Sequence, residues 1–327
     1  MTTVDPELRD VLREVLAGDL LDRLDQTTSG VGFDAELWER LSRLGFTALT
    51  APEQQGGAGA GWPEAAALLN ESAAAARHLP FAESDLLAHW LLRAAGRPAA
   101  DPTAPLTVAI VDPDGTARAV PWLGQVPAVL LFRRPNGTCA AAETPTPPNP
   151  DYSRDPGRSG LPRGELRGVE EPPGVVEIGS GVLDELVLRG ALARGVQIVG
   201  ALDEVVRLCV EHSRTRVQFG RPIAKFQTWR HRFADLETEI AAARALTYHA
   251  FRKFLAGEDA LREVSMAKWL ACEVDWKVAD EALQVHGGYG YMMEFPVQRA
   301  WRDSRLGPIG GGTTEIMKEI IAKTYGL

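Results

Sequence analysis

Apolar residues at helical spacing open the chain. Leu8, Val11, Leu12 and Val15 recur every three or four positions, and Leu37, Leu41 and Leu44 repeat the pattern. A Gly/Pro-rich break, APEQQGGAGAGWPE, follows. Pro63 stands where a new helix begins, ahead of EAAALLNESAAAARHL, because a first-turn residue needs no N–H. DLLAHWLLRAAG keeps the helical texture up to a stop at Gly96. From about Pro105 the period shortens. LTVAIVD, TARAVPW and AVLLFRR read as short strands of a small antiparallel sheet, separated by PDG and a second Gly/Pro break. Residues 144–174 are proline-rich and are expected to form a loop or an irregular edge. Beyond about residue 180 the helical pattern returns. It covers ALARGVQIVGALDEVVRLCVEHSR, then Phe226 to Leu255, then DALREVSMAKWLACEVDWKVADEALQVHGG, closed by Gly287–Gly288. The pattern predicts a mainly α protein with a small β domain: a helical unit over 1–97, a short β unit over 98–179 and a helical bundle over 180–327. No internal repeat interrupts that order.

Composition narrows the classes. The 327 residues carry 44 acids against 35 bases, a net charge of −9, which argues against nucleic acid or an anionic membrane as partner. No apolar run approaches the roughly 20 residues that span a bilayer. Cys139, Cys209 and Cys272 are too scattered for a disulfide framework or a metal site. A soluble, cytoplasmic protein without a metal is the expectation.

Three segments carry candidate chemistry. In TRVQFGRPIAKFQ (215–227), Arg216 is a permanent cation beside an aromatic, ahead of a helix start whose free N–H groups can face an anion. An ordinary turn with a solvated arginine is the competing reading. In QVHGGYGY (284–291), glycines let a backbone approach a ligand closely, although a glycine cluster at a helix end also serves as a simple cap. In PIGGGTTEIMKEIIAK (308–323), three glycines lead into Thr313 or Thr314 as an N-cap, with Glu315 in the first turn. That spacing fits neither a P-loop nor a dinucleotide fingerprint.

In this order and at these separations the three segments resemble the C-terminal domain of the acyl-CoA dehydrogenase family. That domain carries R-x-x-F-G-x-x-I-x-x-x-Q, then Q-x-x-G-G-x-G, then a terminal E-G-T-x-E/Q loop. EFPVQRAWRDSRLGPI before that loop, and LWERLSRLGFTALTAPEQQGGAG (37–59) upstream, are similar to further stretches of the family. The resemblance covers 30–96 and 180–327 and fades between them. It implies FAD as cofactor, held by Arg216, Gln218, Phe219, Ile223, Phe226, Gln227, Gln284, Gly287 and Gly288 toward the flavin of a neighbouring subunit. Thr313 and Glu315 match positions that touch the flavin of their own subunit.

Two departures accompany the resemblance. The family's reaction takes a proton from the thioester α-carbon, which needs a carboxylate beside it. Gly311 stands where the family places that Glu. The alternative helix position falls near Gly190 and Ala191, with Asp184 and Glu185 the nearest carboxylates as weak candidates. The family's T-E-P-x-x-G-S-D stretch, which holds the flavin ring, has no counterpart between residues 97 and 180. The resemblance therefore implies the short, catalytically incomplete subunit of a heteromeric α2β2 enzyme, as in bacterial enzymes acting on steroid side chains. Such a chain would complete the FAD site of a homologous catalytic subunit. The complex would oxidise an acyl-CoA to its 2,3-enoyl form and pass electrons to an electron-transfer flavoprotein. Two other readings stay open: a homomeric enzyme with a relocated base, and a scaffold that binds a partner or an acyl-CoA without redox chemistry.

Overall fold

The computed structural model describes residues 5–17, 33–135, 137, 139–144, 163–179 and 181–327. Local capping chemistry starts the first helices. Asp5 accepts from the N–H of Glu7 at 2.9 Å ahead of α1 (Pro6–Leu16), and Asp34 accepts from Leu37 at 2.9 Å ahead of α2 (Ala35–Arg43). Pro63 is the second residue of α3 (Trp62–Ala74), and Glu64 reaches back to the N–H of Gly61 at 3.0 Å. A π-helical stretch, Ala82–His89, runs into α4 (Trp90–Ala94). In α1 the buried stripe is Leu12, Val15 and Leu16, while Val11 faces solvent. Likewise Leu37 and Leu41 are buried, and Leu44 caps α2 on the outside.

The sheet differs from its expected form. Strands β1 (Thr107–Val111), β3 (Ala128–Arg133), β4 (Cys139–Thr144) and β6 (Val176–Ile178) form one sheet in the order β1-β3-β4-β6. β1 pairs with β3 in parallel; only the β3–β4 and β4–β6 pairs are antiparallel. The reason lies in β2 (Ala117–Pro121), which leaves the sheet to pair with β5 (Arg163–Leu166) in a second, two-stranded layer. The chain thus crosses over before returning beside β1 in the same direction. Of the proline-rich stretch, 145–162 lie outside the described residues, and Arg163–Leu166 form an edge strand. Both faces of β3 are buried: Leu130 and Phe132 pack toward the β2–β5 layer, Val129 and Leu131 toward α4.

Three long helices follow: α5 (Gly181–Thr215), α6 (Gln227–Leu255) and α7 (Leu261–His286). The short helices α8 (Val297–Ser304) and α9 (Thr314–Lys323) pack along α7 and complete the bundle. The N-terminal helices share a core with it, in which Leu12, Trp38, Leu68 and Phe81 meet Leu192, Val196, Phe251 and Val264. α3 crosses α5 so closely that a Cβ on Gly200 would lie 2.5 Å from Cα of Asn70. No described helix is long and apolar enough to cross a membrane.

Candidate functional site

The first two glycine-bearing segments meet at one end of the bundle. After α5 ends, Val217–Gln218 pair antiparallel with Arg221–Pro222 through the two-residue turn Phe219–Gly220. Both turn residues have positive φ, 50° and 76°, as a right-twisted hairpin demands. Glycine adopts that conformation freely, whereas a phenylalanine there costs about 1 kcal/mol. Phe219 is 92% exposed, and its ring meets only the edge of Phe226 at 6.3 Å. Arg216 and Gln218 are exposed beside it, Ile223 is buried beneath, and Gln227 opens α6 with its amide against His231 at 3.2 Å.

The second segment packs against this hairpin. The guanidinium of Arg216 lies 5.7 Å from the Tyr289 ring. Beneath them, the His212 and His286 rings stack at 4.2 Å. Burial lowers both imidazole pKa values, and the charge of Arg216 adds to the effect on His212. The pair is therefore neutral at pH 7, and Arg216 supplies the positive charge. The glycines divide by role. A Cβ on Gly290 would lie 2.6 Å from the Leu283 carbonyl, so this glycine exists for packing. Gly287 needs its φ of 61° to cap α7, and a Cβ on either Gly287 or Gly288 would meet nothing within 4 Å. Gln284, Gly287 and Gly288 thus present an open step of backbone near a cation that no carboxylate pairs among the described residues, an arrangement that fits a phosphate-bearing ligand.

The third segment lies elsewhere. Thr313 is the N-cap of α9, accepting from Ile316 at 3.3 Å, and the Glu315 carboxylate is held low by its own N–H and the Thr313 hydroxyl. Gly311 is exposed, with φ 61°. The loop before α9 is fixed from below by Lys268 of α7, which donates to the carbonyls of Gly307 and Gly310, each at 3.0 Å, and of Gly312. Lys268 and His286 are 18 residues apart on α7, so the two glycine sites are separated by roughly 27 Å along it.

The candidate bases occupy different surroundings. Glu185 is bonded to Arg189 at 2.8 Å, and that arginine is stacked over Trp90 at 4.3 Å, which commits the carboxylate to an ion pair. Asp184 is exposed on the first turn of α5. A Cβ on Gly190 would meet only Leu87, at 3.8 Å.

Sequence reasoning missed a group of part-buried charges that the fold gathers from α7, α8 and the N-terminal helical segment. Asp303 of α8 faces His78 at 3.5 Å and Arg299 at 3.6 Å. Burial pushes the Asp275 carboxyl of α7 up to about 7, with Arg194 opposing and Asp303 reinforcing. Glu83 is raised by burial against Arg163 and Arg194. One signal was available: Lys268, Cys272 and Asp275 fall on one stripe of α7 among Ala271 and Val278. Among the described residues no group of three His, Cys, Asp or Glu is arranged to hold a metal.

Residues 179–326 match the family model of the acyl-CoA dehydrogenase C-terminal domain, and residues 3–100 that of the N-terminal domain. The chain belongs to the acyl-CoA dehydrogenase family. It is 40% identical over 133 residues to a 3-(aryl)acrylate reductase of Clostridium sporogenes, covering 41% of this chain and 35% of that protein. The alignment therefore spans about a third of that curated relative. In fold the chain is similar to an acyl-CoA dehydrogenase from Geobacillus kaustophilus (TM-score 0.87, 21% identity, all of both chains). It is equally similar to a chain of the ChsE4-ChsE5 complex from Mycobacterium tuberculosis (TM-score 0.87, 22% identity, 99% of this chain and 98% of that one).

Proposed function

We propose that the chain is the non-catalytic subunit of a heteromeric, FAD-dependent acyl-CoA dehydrogenase. Its exposed hairpin and glycine step complete the flavin site of a homologous catalytic subunit. The observation that carries this is Arg216 set over the Tyr289 ring, next in the chain to the open backbone at Gly287 and Gly288, while glycine occupies position 311. On this reading Arg216 pairs with the pyrophosphate of the partner's FAD, and Gln218 and Gln284 donate beside it. Phe219 excludes water over the same group, and Thr313 and Glu315 face a flavin from the far end of α7. FAD bound there would supply the acceptor for the hydride that leaves the acyl-CoA β-carbon, and an electron-transfer flavoprotein would take the two electrons on. The α-proton requires a carboxylate, which the catalytic partner provides. The likeness to the ChsE4-ChsE5 complex is consistent with such a pairing. The unit boundaries at 97/98 and 179/180, and a cytoplasmic location, belong to the same proposal.

The test is a visible spectrum. The chain expressed by itself is expected to be colourless, and co-expression with a homologous full-length subunit to give yellow protein with dehydrogenase activity. A yellow, active lone chain would overturn the reading. No flavin in either preparation would favour the non-redox scaffold.

One observation favours a second reading, the self-sufficient enzyme. Asp275 is a half-buried carboxyl, pushed up to about 7 by desolvation, which suits a general base, two turns along α7 from Lys268. If the lone chain is active, Asp275→Asn should abolish that activity.

A further inference from the structure

Lys268 stands out among the buried charges of the bundle. Its side chain is 1% exposed, yet no ion pair among the described residues compensates it. Its ammonium instead donates to three backbone carbonyls, those of Gly307, Gly310 and Gly312. An ammonium has three N–H donors, so the match is complete. All three acceptors lie in one six-residue stretch, and two flank Gly311. Hydrogen bonds to a charged donor exceed neutral ones in strength, and leaving a buried charge unbonded is costly. The loop needs such an anchor. Glycines have the greatest backbone freedom of any residue, and Gly311 and Gly312 both hold positive φ, 61° and 89°. Within the loop, the Thr314 N–H to the Pro308 carbonyl, at 2.9 Å, is the bond that closes the turn.

We infer that Lys268 is a positioning residue that fixes the glycine loop 307–312 and so sets where Thr313 and Glu315 face the flavin. The flavin half of this inference rests on the function proposed above; the loop half rests on the hydrogen bonds alone. Because each peptide is rigid, fixing the Gly310 and Gly312 carbonyls also fixes the N–H groups of Gly311 and Thr313 on the opposite side of those peptides. The lysine thereby orients the first turn of α9 without touching the ligand.

Three variants separate this role from simple packing. Methionine matches the unbranched shape of lysine but cannot donate, whereas arginine donates but is larger. If Lys268 only fills space, Lys268→Met should resemble wild type and Lys268→Arg should be the worse. The clamp requires the reverse order. On the full-length chain alone, amide hydrogen exchange over residues 309–317 should quicken at least tenfold in Lys268→Met and less in Lys268→Arg. Lys268→Gln, which keeps neutral donors, should fall between wild type and Met. Exchange in α5 and α6 should stay unchanged in all three, which certifies folding. Methionine equal to wild type would overturn the inference. The second readout is FAD affinity of the co-purified complex, expected to fall about tenfold in Lys268→Met. Loop exchange that quickens with unchanged FAD affinity would overturn the positioning role. A wild-type complex without flavin would instead sink the proposed function, leaving the exchange order to judge the clamp.

Discussion

The two glycine-bearing ends of α7 are built on opposite principles. At the C-terminal end, Arg216, Gln218, Phe219 and Gly288 face solvent, and the strained Phe219 makes only an edge contact. At the other end, Gly307 is buried, and its carbonyl, like those of Gly310 and Gly312, accepts from a buried lysine. A surface that keeps a cation and a left-handed aromatic exposed is open to something outside the chain, since each feature adds little to the chain's own stability. A loop whose carbonyls are internally satisfied is arranged to hold one shape. The difference teaches that two similar glycine-bearing stretches can end in unlike surfaces, one open to solvent and one satisfied from within.

Five changes would break or sharpen that contrast. The largest effect is expected from Arg216→Ala, which on the proposed function removes a charge-assisted phosphate contact worth about 1.5–3 kcal/mol. FAD titration of the complex should show roughly 10- to 100-fold weaker binding while thermal unfolding of the lone chain stays put. Equal FAD affinity would mean that the exposed end is idle. Next, Gly290→Ala should destabilise the lone chain by about 2 kcal/mol through its clash with the Leu283 carbonyl, seen as a lower urea midpoint. Gly288→Ala, with open space around it, should leave that midpoint unchanged and lower only flavin occupancy.

The next effect is confined to a pH window and concerns Asp275, whose folded pKa of about 7 lies above the ordinary value near 3.8. Between those values the folded state binds the extra proton, so the stabilising contribution is full below about pH 4. It is then lost as pH rises through 7, at up to about 1.4 kcal/mol per pH unit. Relative to wild type, Asp275→Asn should therefore gain stability between pH 5 and pH 8 in urea unfolding. A constant difference across that range would place the carboxyl in water. The smallest change is Phe219→Gly. Relief of the left-handed conformation should raise stability by about 1 kcal/mol, offset in part by the lost contact with Phe226. The same variant should weaken FAD binding by the complex, and a gain in both would deny Phe219 a role.

Much of the fold was legible because the relevant interactions are local. The Leu12–Val15 stripe, Pro63 in the first turn of α3, the stop at Gly96 and Thr313 as the cap of α9 follow from spacing within one or two turns. The parallel pairing of β1 with β3 did not follow, because nothing in TARAVPW states that it leaves the sheet to join Arg163–Leu166, about 40 residues on. In the site, the motif residues were readable one by one, and so was the absence of a carboxylate at 311. The stacking of Arg216 on Tyr289 was not, since the two are 73 positions apart.

The sequence by itself determined the helices, the order of helical, sheet and helical segments, and the chemistry available at Arg216, Gly287 and Gly311. Backbone propensity and side-chain type act at short range, and they are written residue by residue. Only the tertiary structure decided that Lys268 serves three carbonyls rather than a carboxylate, and that Asp275 titrates near neutrality. Both outcomes depend on which distant groups replace water around a buried charge, and that is settled only when α5, α7, α8 and the glycine loop have packed together.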